Sequence, residues 1–563
     1  MNHEEHEGQP SPQRKTALNK MARISLLVAF VFFVVYFLFF HRLADRDLWS
    51  SHEARAAQDA QTILDDGEWG LPQLYGGRPE LQKPPLYYWM VAVIGWMRGG
   101  TIDVWAVRLP AAVSGLCCVL ALYLLAWRLG RPLAGLIAAA VLATMVHFTW
   151  LARVGRIYMP LTLAVGVALG GFYKTFSGRP GAAATLTPAR GRRLNGGNRW
   201  LPVAYLALAV GLMLKGPIAI VLAAAVIGLF LLIEGELPAP WQCRRWWGLL
   251  HCLGLWWGLP LALGLASVWF LWADARTHSQ LFKVFFWHHN VERAFGDSML
   301  TRRDHPWWLY GPLAFWDLLP WSVALPAAAW YVWRSGGWQA DPDARFGLAW
   351  FAAMALVLSF ASYKRSDYLL PAYPGLALFL GCVGERWYCA AMHRRRLVAG
   401  FAVAVLGCVA GWWIYLDYYL PRLDGMWESR RFAAEVRQRA PTPARVLFFR
   451  TESHALVFHV GRPLEVFVEW DKLDAWAGLP GSHYVVMPLA VFQKAPQHIR
   501  SGWLEKVLTS TDMPGCKYHH TLVLARTSPR SPHLRPEESV DARAAATTTD
   551  GLAAAQRRAA GRP

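Results

Sequence analysis

Runs of apolar residues alternate with short polar segments along most of the chain, at residues 24–40, 106–126, 133–151, 158–173, 201–214, 217–234, 247–272, 309–333, 346–361, 367–384 and 397–416. Several of them reach the 18 or more residues that an α-helix needs to cross a bilayer. Taken together they predict about eleven transmembrane helices. The segment Pro84 to Met97 is shorter and aromatic, and fits a re-entrant helix, an interfacial helix or a further span. Residues 421–527 follow another pattern. Glu428 to Ala440 has the spacing of an amphipathic helix, and Arg445–Arg450, Leu456–Val460, Pro463–Val468 and His483–Met487 read as short strands between Gly and Pro turns. That alternation predicts a small α/β domain. The tail 528–563 is rich in Ala, Arg, Pro and Thr, a composition too poor in apolar residues to pack.

The expected architecture is an all-α polytopic membrane protein followed by a small extracytoplasmic α/β domain. Residues 1–23 form a basic cytoplasmic start, 24–420 the transmembrane domain with a large first outer loop at 41–105, 421–527 the small domain and 528–563 a disordered tail. Composition agrees: 55% of the 563 residues are hydrophobic and 14% aromatic, too apolar for an ordinary soluble domain. A formal charge of +19 raises the question of nucleic acid, but the Lys and Arg sit in short clusters between apolar runs, as in loops facing anionic headgroups. Arg14, Lys15, Lys20 and Arg23 precede the first run, which lacks a small-residue cleavage signature and reads as an uncleaved anchor. Alternation from a cytoplasmic start then places Arg128, Arg131, Arg244, Arg245, Arg345, Arg386 and Arg394–Arg396 inside, in accord with the positive-inside bias. The eight cysteines include no CxxC pair and read as small buried apolar residues.

Charge on the outer side is the exception that carries chemistry. Arg55, Lys83, Arg153, Arg156, Lys215, Lys283, Arg293, Lys364 and Arg365 fall at or near outer ends of spans. Snorkelling to lipid phosphates explains such residues singly; convergence on one anionic substrate explains them as a set. The motifs are His52-Glu53-Ala54-Arg55 and Gln82-Lys83-Pro84-Pro85 in the opening loop, Arg153 to Pro160, Leu214-Lys215-Gly216-Pro217, Phe285 to Arg293 with its His288-His289 pair, Trp307-Trp308, and Ser362 to Pro374 with Lys364, Arg365, Asp367 and Tyr368.

In this order these motifs resemble the bacterial polytopic C-type glycosyltransferases of the lipid A aminoarabinose transferase type, relatives of the protein O-mannosyltransferases. The resemblance covers about residues 25–420 and a similar small outer domain. It implies a polyprenyl-phosphate sugar as donor and a lipid, glycan or protein as acceptor, in a bacterial inner membrane, with membrane lipids as the surroundings and no nucleic acid. The candidate site has Glu53 and His52 as catalytic residues, Arg55, Lys83, Arg153, Lys215, Lys364 and Tyr368 on the donor phosphate, and Tyr158, His289 and Arg293 toward the acceptor or its loop. No cofactor is required by the residues, and zinc is the ion that Gln82 and His289 would offer weak ligands to.

Three positions depart from that family. His52-Glu53 stands where an Asp-Glu pair is usual, Tyr158 where an Asp precedes Met159-Pro160, and Gln82 where Glu precedes Lys-Pro. Two readings follow. In one, Glu53 is the working carboxylate with His52 as its partner, since either is a competent general base within hydrogen-bond reach of a hydroxyl. In the other, the chain binds lipid-linked sugar without transferring it. A transporter or lipid flippase is the alternative of another class, but such proteins show internal repeats and deep intramembrane charges, and neither is evident here.

Overall fold

The computed structural model describes residues 33–177, 198–292, 305–423, 429–512 and 521–529. The basic start, Arg293 and nearly all of the tail lie outside them. The chain divides into two compact units, Met1–Arg422 and Leu423–Pro563.

The first unit is helical. Among its described residues, four helices are long and apolar enough to cross a membrane: Val104–Arg128, Leu255–Arg276, Ser366–Ala390 and Arg394–Leu423. The chain is an integral membrane protein, but three of the expected spans are not single straight helices. The segment 133–151 bends by 70° between Pro132–Thr144 and Val146–Ala152. Segment 247–272 is divided at Gly254 (φ 63°) into Cys243–Cys252 and Leu255–Arg276. Segment 309–333 is a series of short pieces, Tyr310–Asp317, Trp321–Ala324 and Leu325–Arg334. Broken helices survive in lipid only where the freed backbone groups find partners inside the protein. At the 70° bend they do: the Val146 amide donates to Leu319 O (3.0 Å), and Thr149 Oγ1 to Ala143 O (2.8 Å).

The elements that matter for the site are α1 (33–40), α2 (Ser51–Asp66), α3 (Leu86–Met97), α4 (Val104–Arg128), α5 (Pro132–Thr144), α6 (Val146–Ala152), α7 (Tyr158–Ser177), α8 (Leu201–Lys215) and α9 (Ile218–Ile233). The α2 helix starts because Ser50 Oγ accepts from the Glu53 amide, and ends at Gly67, whose φ of 71° few side chains tolerate. Its alanines and Ile63 are buried, and only Ser51, Asp65 and Asp66 at its ends are exposed. Twelve residues make α3 about 18 Å long, too short for a hydrocarbon core of about 30 Å. It packs against α2 instead of spanning. A two-stranded ribbon, β1 (Gln73–Leu74) with β2 (Arg78–Pro79), joins the two helices.

The two ends of α4 are tied down by different ion pairs. Near its start Arg108 is buried beneath α2. Some 20 residues on, about 30 Å away, Arg131 reaches Asp341 (2.7 Å), Asp343 (3.3 Å) and Glu385 (2.6 Å), while Arg345 pairs with Glu234 through both carboxylate oxygens (2.6 and 2.9 Å).

The second unit holds a helix, Ser429–Arg439, and a five-stranded sheet of order β4-β3-β5-β7-β6, with β3 (Val446–Phe449), β4 (Glu465–Phe467), β5 (Tyr484–Pro488), β6 (Gly502–Thr509) and β7 (Leu522–Pro529). β3 pairs in parallel with β4 and β5, while β7 runs antiparallel to β5 and β6. Leu447, Phe449, Val485 and Met487 face Leu473 and Trp476 in its core. One expected strand is a helix: His454–Val460 starts where Ser453 accepts from the Leu456 amide and stops at Gly461 (φ 77°). The cap outweighs the strand preference of its valines.

Candidate active site

His52 and Glu53 are neighbours on α2, and the turn between them sends Glu53 against Arg108 and His52 between Lys83 and Arg365. Glu53 is completely buried. Its Oε1 accepts from Arg108 Nε (2.7 Å) and from the Gly155 amide (2.9 Å), and its Oε2 from Arg108 Nη2 and the Trp49 amide (both 3.3 Å). Arg108 spends its remaining N–H groups on the carbonyls of Leu43, Arg46 and Asp47 (2.8–2.9 Å). Burial alone raises a carboxyl, yet here the Arg108 guanidinium and the Gly155 amide outweigh it and hold Glu53 below the usual carboxylate range. An ionised carboxylate with four donors is a strut. It ties α2 to α4 and to the α6–α7 turn, and the expectation that it takes the acceptor's proton does not fit its position.

His52 occupies the place Glu53 was expected to fill. Its Nδ1 lies 3.3 Å from Lys83 Nζ and its Nε2 3.2 Å from Arg365 Nη1. Burial, then Lys83, Arg156, Arg365 and Arg55, push the imidazole down to about 2, so it is neutral. A neutral ring has one acceptor nitrogen, so it satisfies one of the two flanking cations and leaves the other facing an N–H. An anion between them removes that mismatch.

Four separate segments supply the positive charge. Lys83 follows β2, Arg55 lies one turn beyond His52, Arg156 follows α6, and Arg365 precedes a 3-10 turn at Ser366–Ala372. Arg55 pairs with Glu80 and donates to Gln82 Oε1 (3.1 Å). Arg156 and Arg365 share Asp367 Oδ2 at 2.6 and 3.1 Å. Asp367 in turn meets His147 (3.5 Å), which reaches Asp317 (3.3 Å) and the Tyr373 hydroxyl (3.0 Å). Asp59 is fully buried beside this group, and among the described residues neither of its carboxylate oxygens has a hydrogen-bond partner. Burial, then the nearby Glu80, push it well above the usual carboxylate range, against Arg55 and Lys83. The cations therefore outnumber the anions.

A further cation, Lys215, lies between two aromatic rings. Lys215, the last residue of α8, places its ammonium 4.2 Å from the Tyr158 ring centroid and 4.0 Å from that of Tyr368, the geometry of cation–π attraction. Beyond it, Gly216 (φ 76°, ψ −151°) sits in a region open essentially to glycine alone. A Cβ there would lie 2.6 Å from the Phe285 ring, so the π-helical segment Phe282–Glu292 closes directly over the turn. Gly216→Ala is expected to lower the melting temperature and to displace that segment, and a thermal-unfolding scan of the purified variant in detergent checks it.

Two expected phosphate ligands point elsewhere. Arg153 is buried and donates to the Leu38 carbonyl (2.9 Å) and the His41 carbonyl, which caps the end of α1. Lys364 donates to the carbonyls of His305 (3.1 Å) and Ala361 (2.6 Å), and its neighbour Arg365 takes the role in the cluster. Both bind helix-end or loop carbonyls, the usual employment of a cation at a C-terminal turn. On the Phe282–Glu292 segment, His288 pairs with Glu292 (2.6 Å); His289 is its half-buried neighbour and Arg293 lies outside the described residues. Trp307 and Trp308 are largely exposed, as interfacial residues are. The donors do not suit zinc: Gln82 offers a neutral amide oxygen already bonded to a guanidinium, and no group of three or more His, Cys, Asp or Glu assembles among the described residues.

Comparison with known proteins decides the fold. ArnT from Cupriavidus metallidurans, solved bound to undecaprenyl phosphate, superposes with a TM-score of 0.70 at 17% identity, over 90% of this chain and 98% of that one. The chain has the ArnT fold. The apo form of the same protein gives a TM-score of 0.68. Residues 82–177 match the family described as dolichyl-phosphate-mannose-protein mannosyltransferase. The chain is 28% identical over 397 residues to undecaprenyl phosphate-alpha-4-amino-4-deoxy-L-arabinose arabinosyl transferase 1 of Pseudomonas fluorescens Pf0-1, and 32% identical over 362 residues to its namesake in strain Pf-5. These alignments cover 70% and 63% of this chain, and 63% and 58% of the relatives' own length. The C-type glycosyltransferase resemblance read from the outer-loop motifs therefore holds for the fold, including the small C-terminal sheet.

Burial pushes the Lys83 ammonium down to about 8, with Arg55 and Arg156 adding to it against Glu80 and Asp59. An anion is held by the protonated form. Affinity for a phosphate anion is accordingly expected to fall as pH rises from 7 through 9, and Lys83→Arg, which stays charged throughout, is expected to flatten that fall. Equilibrium binding across this pH range checks both.

Proposed function

We propose that the chain is a membrane glycosyltransferase that moves a sugar from a polyprenyl-phosphate donor to a lipid, glycan or protein acceptor at the outer face of the bacterial inner membrane. The observation that carries the reading is the cluster of Lys83, Arg55, Arg156 and Arg365 around His52, drawn from four segments of the sequence and richer in cations than in anions. Breaking a glycosyl–phosphate bond asks for stabilisation of the charge that develops on the departing phosphate and for in-line placement of the acceptor. Lys83 and Arg365, which flank the two nitrogens of His52 at 3.3 and 3.2 Å, are the candidates to hold that phosphate. Lys215, steadied between Tyr158 and Tyr368, stands next to it.

The proton needs a destination. Glu53 is saturated and Asp367 is held by two arginines, which leaves His52. An anion between Lys83 and Arg365 offsets the part of the depression that those cations add to burial, so that donor binding itself makes the imidazole a better base. In this reading the N-terminus is cytoplasmic, and the second unit lies outside with the site.

The saturation of Glu53 also favours a second reading, a lipid-sugar binder without transfer. Incubating purified protein with a labelled undecaprenyl-phosphate hexose and bacterial envelope lipids separates the two: labelled product is expected, and tight donor binding with no product in any acceptor pool would leave the binder.

A further inference from the structure

At the other end of the helices that carry Tyr158 and Lys215, a groove of about 220 Å³ lies between α4, α7 and α8. Leu122 and Leu125 of α4, Leu163 and Val167 of α7 and Val203 of α8 wall it with hydrocarbon. From Leu163 to Lys174 it follows α7 for about 16 Å, roughly half the hydrocarbon thickness of a bilayer. One end of the groove is charged. Arg128 and Lys174 line it there, with Lys174 Nζ donating to the Arg128 carbonyl (3.0 Å). Trp200 lines the same end, and the guanidinium groups of Arg128 and Arg199 lie over its ring, 4.8 and 5.5 Å from the centroid. These three cations gather where the apolar runs 106–126, 158–173 and 201–214 stop or start, the level of lipid headgroups. Among the described residues no carboxylate pairs with Arg128 or Arg199. The carboxylate that acts on Lys174, Asp343, is already held by Arg131 (3.3 Å) and the Tyr173 hydroxyl. Snorkelling explains a lone cation at a span end; it does not explain three of them around the mouth of an apolar groove with so little anion to meet them.

We propose that this groove binds an anionic phospholipid, with one acyl chain along α7 and the phosphate on Arg128, Lys174 and Arg199. Charge and length choose the occupant. A basic pocket between transmembrane helices suits an anionic headgroup, and the length of the groove matches the acyl chain of one leaflet. The polyprenyl tail of a donor is hydrocarbon at its far end and has no use for the cations, while a free phosphate has none for the apolar walls. The lipid comes from the leaflet at the Arg128 end of α4, the cytoplasmic one in the orientation proposed above; its binding does not otherwise rest on the transferase reading. A chain seated here packs between the three helices that carry Arg108, Tyr158 and Lys215 nearer the outer face, so its occupancy stabilises the frame on which the outer site is built.

Native mass spectrometry of the full-length, delipidated protein in detergent tests this by titration with dioleoyl-phosphatidylglycerol, dioleoyl-phosphatidylcholine and glycerophosphoglycerol, the headgroup without its chains. Phosphatidylglycerol is expected to bind at least tenfold more tightly than phosphatidylcholine, and the bare headgroup at least tenfold more weakly than the whole lipid. Arg128→Gln combined with Lys174→Gln is expected to abolish the preference for phosphatidylglycerol. Val167→Phe narrows the groove, leaves every charge in place and is expected to weaken both phospholipids; an unchanged elution volume in gel filtration shows that each variant is folded. Equal affinity of the native protein for the two phospholipids overturns the proposal. So does a headgroup bound as tightly as the whole lipid, or a preference that survives the double variant, which would put the anion on the His52 cluster instead. Failure of undecaprenyl phosphate to bind the same sample would count against the proposed function and leave this groove standing.

Discussion

Glu53→Gln is expected to destabilise the protein by about 3–5 kcal/mol, the usual cost of removing one partner of a buried ion pair. The Glu53 carboxylate accepts four hydrogen bonds in a fully buried setting, and an amide nitrogen in place of one oxygen would confront donors with a donor. Arg108→Gln is expected to cost a similar amount, and the double variant less than the sum, because the pair fails as a unit. Thermal or denaturant unfolding in detergent reads all three. Were Glu53 the general base, the result would be the reverse: a large fall in turnover at unchanged melting temperature.

The second large effect is on donor affinity. Lys83→Ala and Arg365→Ala each remove one charge-assisted contact, which is worth about 1.5–3 kcal/mol, so undecaprenyl phosphate is expected to bind roughly 10- to 150-fold more weakly to either. Arg153→Gln and Lys364→Gln serve as contrasts. Both side chains bond to backbone carbonyls away from the cluster, so their loss is expected to lower stability and leave affinity within about twofold. Isothermal titration or microscale binding against a short-chain analogue measures the set; a phosphate affinity as sensitive to Arg153 and Lys364 as to Lys83 would mean that the phosphate is bound elsewhere.

The sequence made the membrane class, the outer-loop chemistry and the small mixed domain legible because each rests on a local pattern. Apolar runs, the His52-Glu53-Arg55 and Lys83-Pro84 motifs, and Arg365 with Asp367 are all visible in a few consecutive residues. What stayed hidden depends on distance. Arg108 is 55 residues from its partner Glu53 and sits within an apolar helix, where it reads as one more charge near a span end. Without that pairing Glu53 looks available, which is why it was the expected base. Glu80 and Asp59 carry no motif, and only burial reveals one as an ion-pair partner of Arg55 and the other as a carboxyl pushed above the usual range. The nearest available signal for Glu80 was its place two residues before Gln82, close enough for its own carboxylate to accept the Gln82 amide (2.8 Å). Lys364 and Arg365 illustrate the limit from the other side: adjacent cations are equivalent in a sequence, and one turns to cap a carbonyl while the other turns to the site.

Span counting fails for a related reason. Hydropathy registers apolar length, whereas Gly254 and the Leu319-Pro320 and Thr144-Met145 breaks decide continuity. The breaks at Met145 and Pro320 lie side by side, joined by the Val146 amide and the Leu319 carbonyl, so each supplies what the other's irregular backbone lacks. They also bring His147 and Asp317 together beneath Asp367, a contact that no uninterrupted pair of spans would make.

The central claim is that His52, held between Lys83 and Arg365, is the group that works on the donor and acceptor. Single-turnover release of labelled sugar from an undecaprenyl-phosphate hexose, native protein against His52→Ala with envelope lipids as acceptor, tests it most directly. Native release slowed at least a hundredfold by the substitution, the scale of losing a general base, with melting temperature and donor affinity little changed, is the expected result. Equal rates in the two proteins would contradict it and return the proton to some other group.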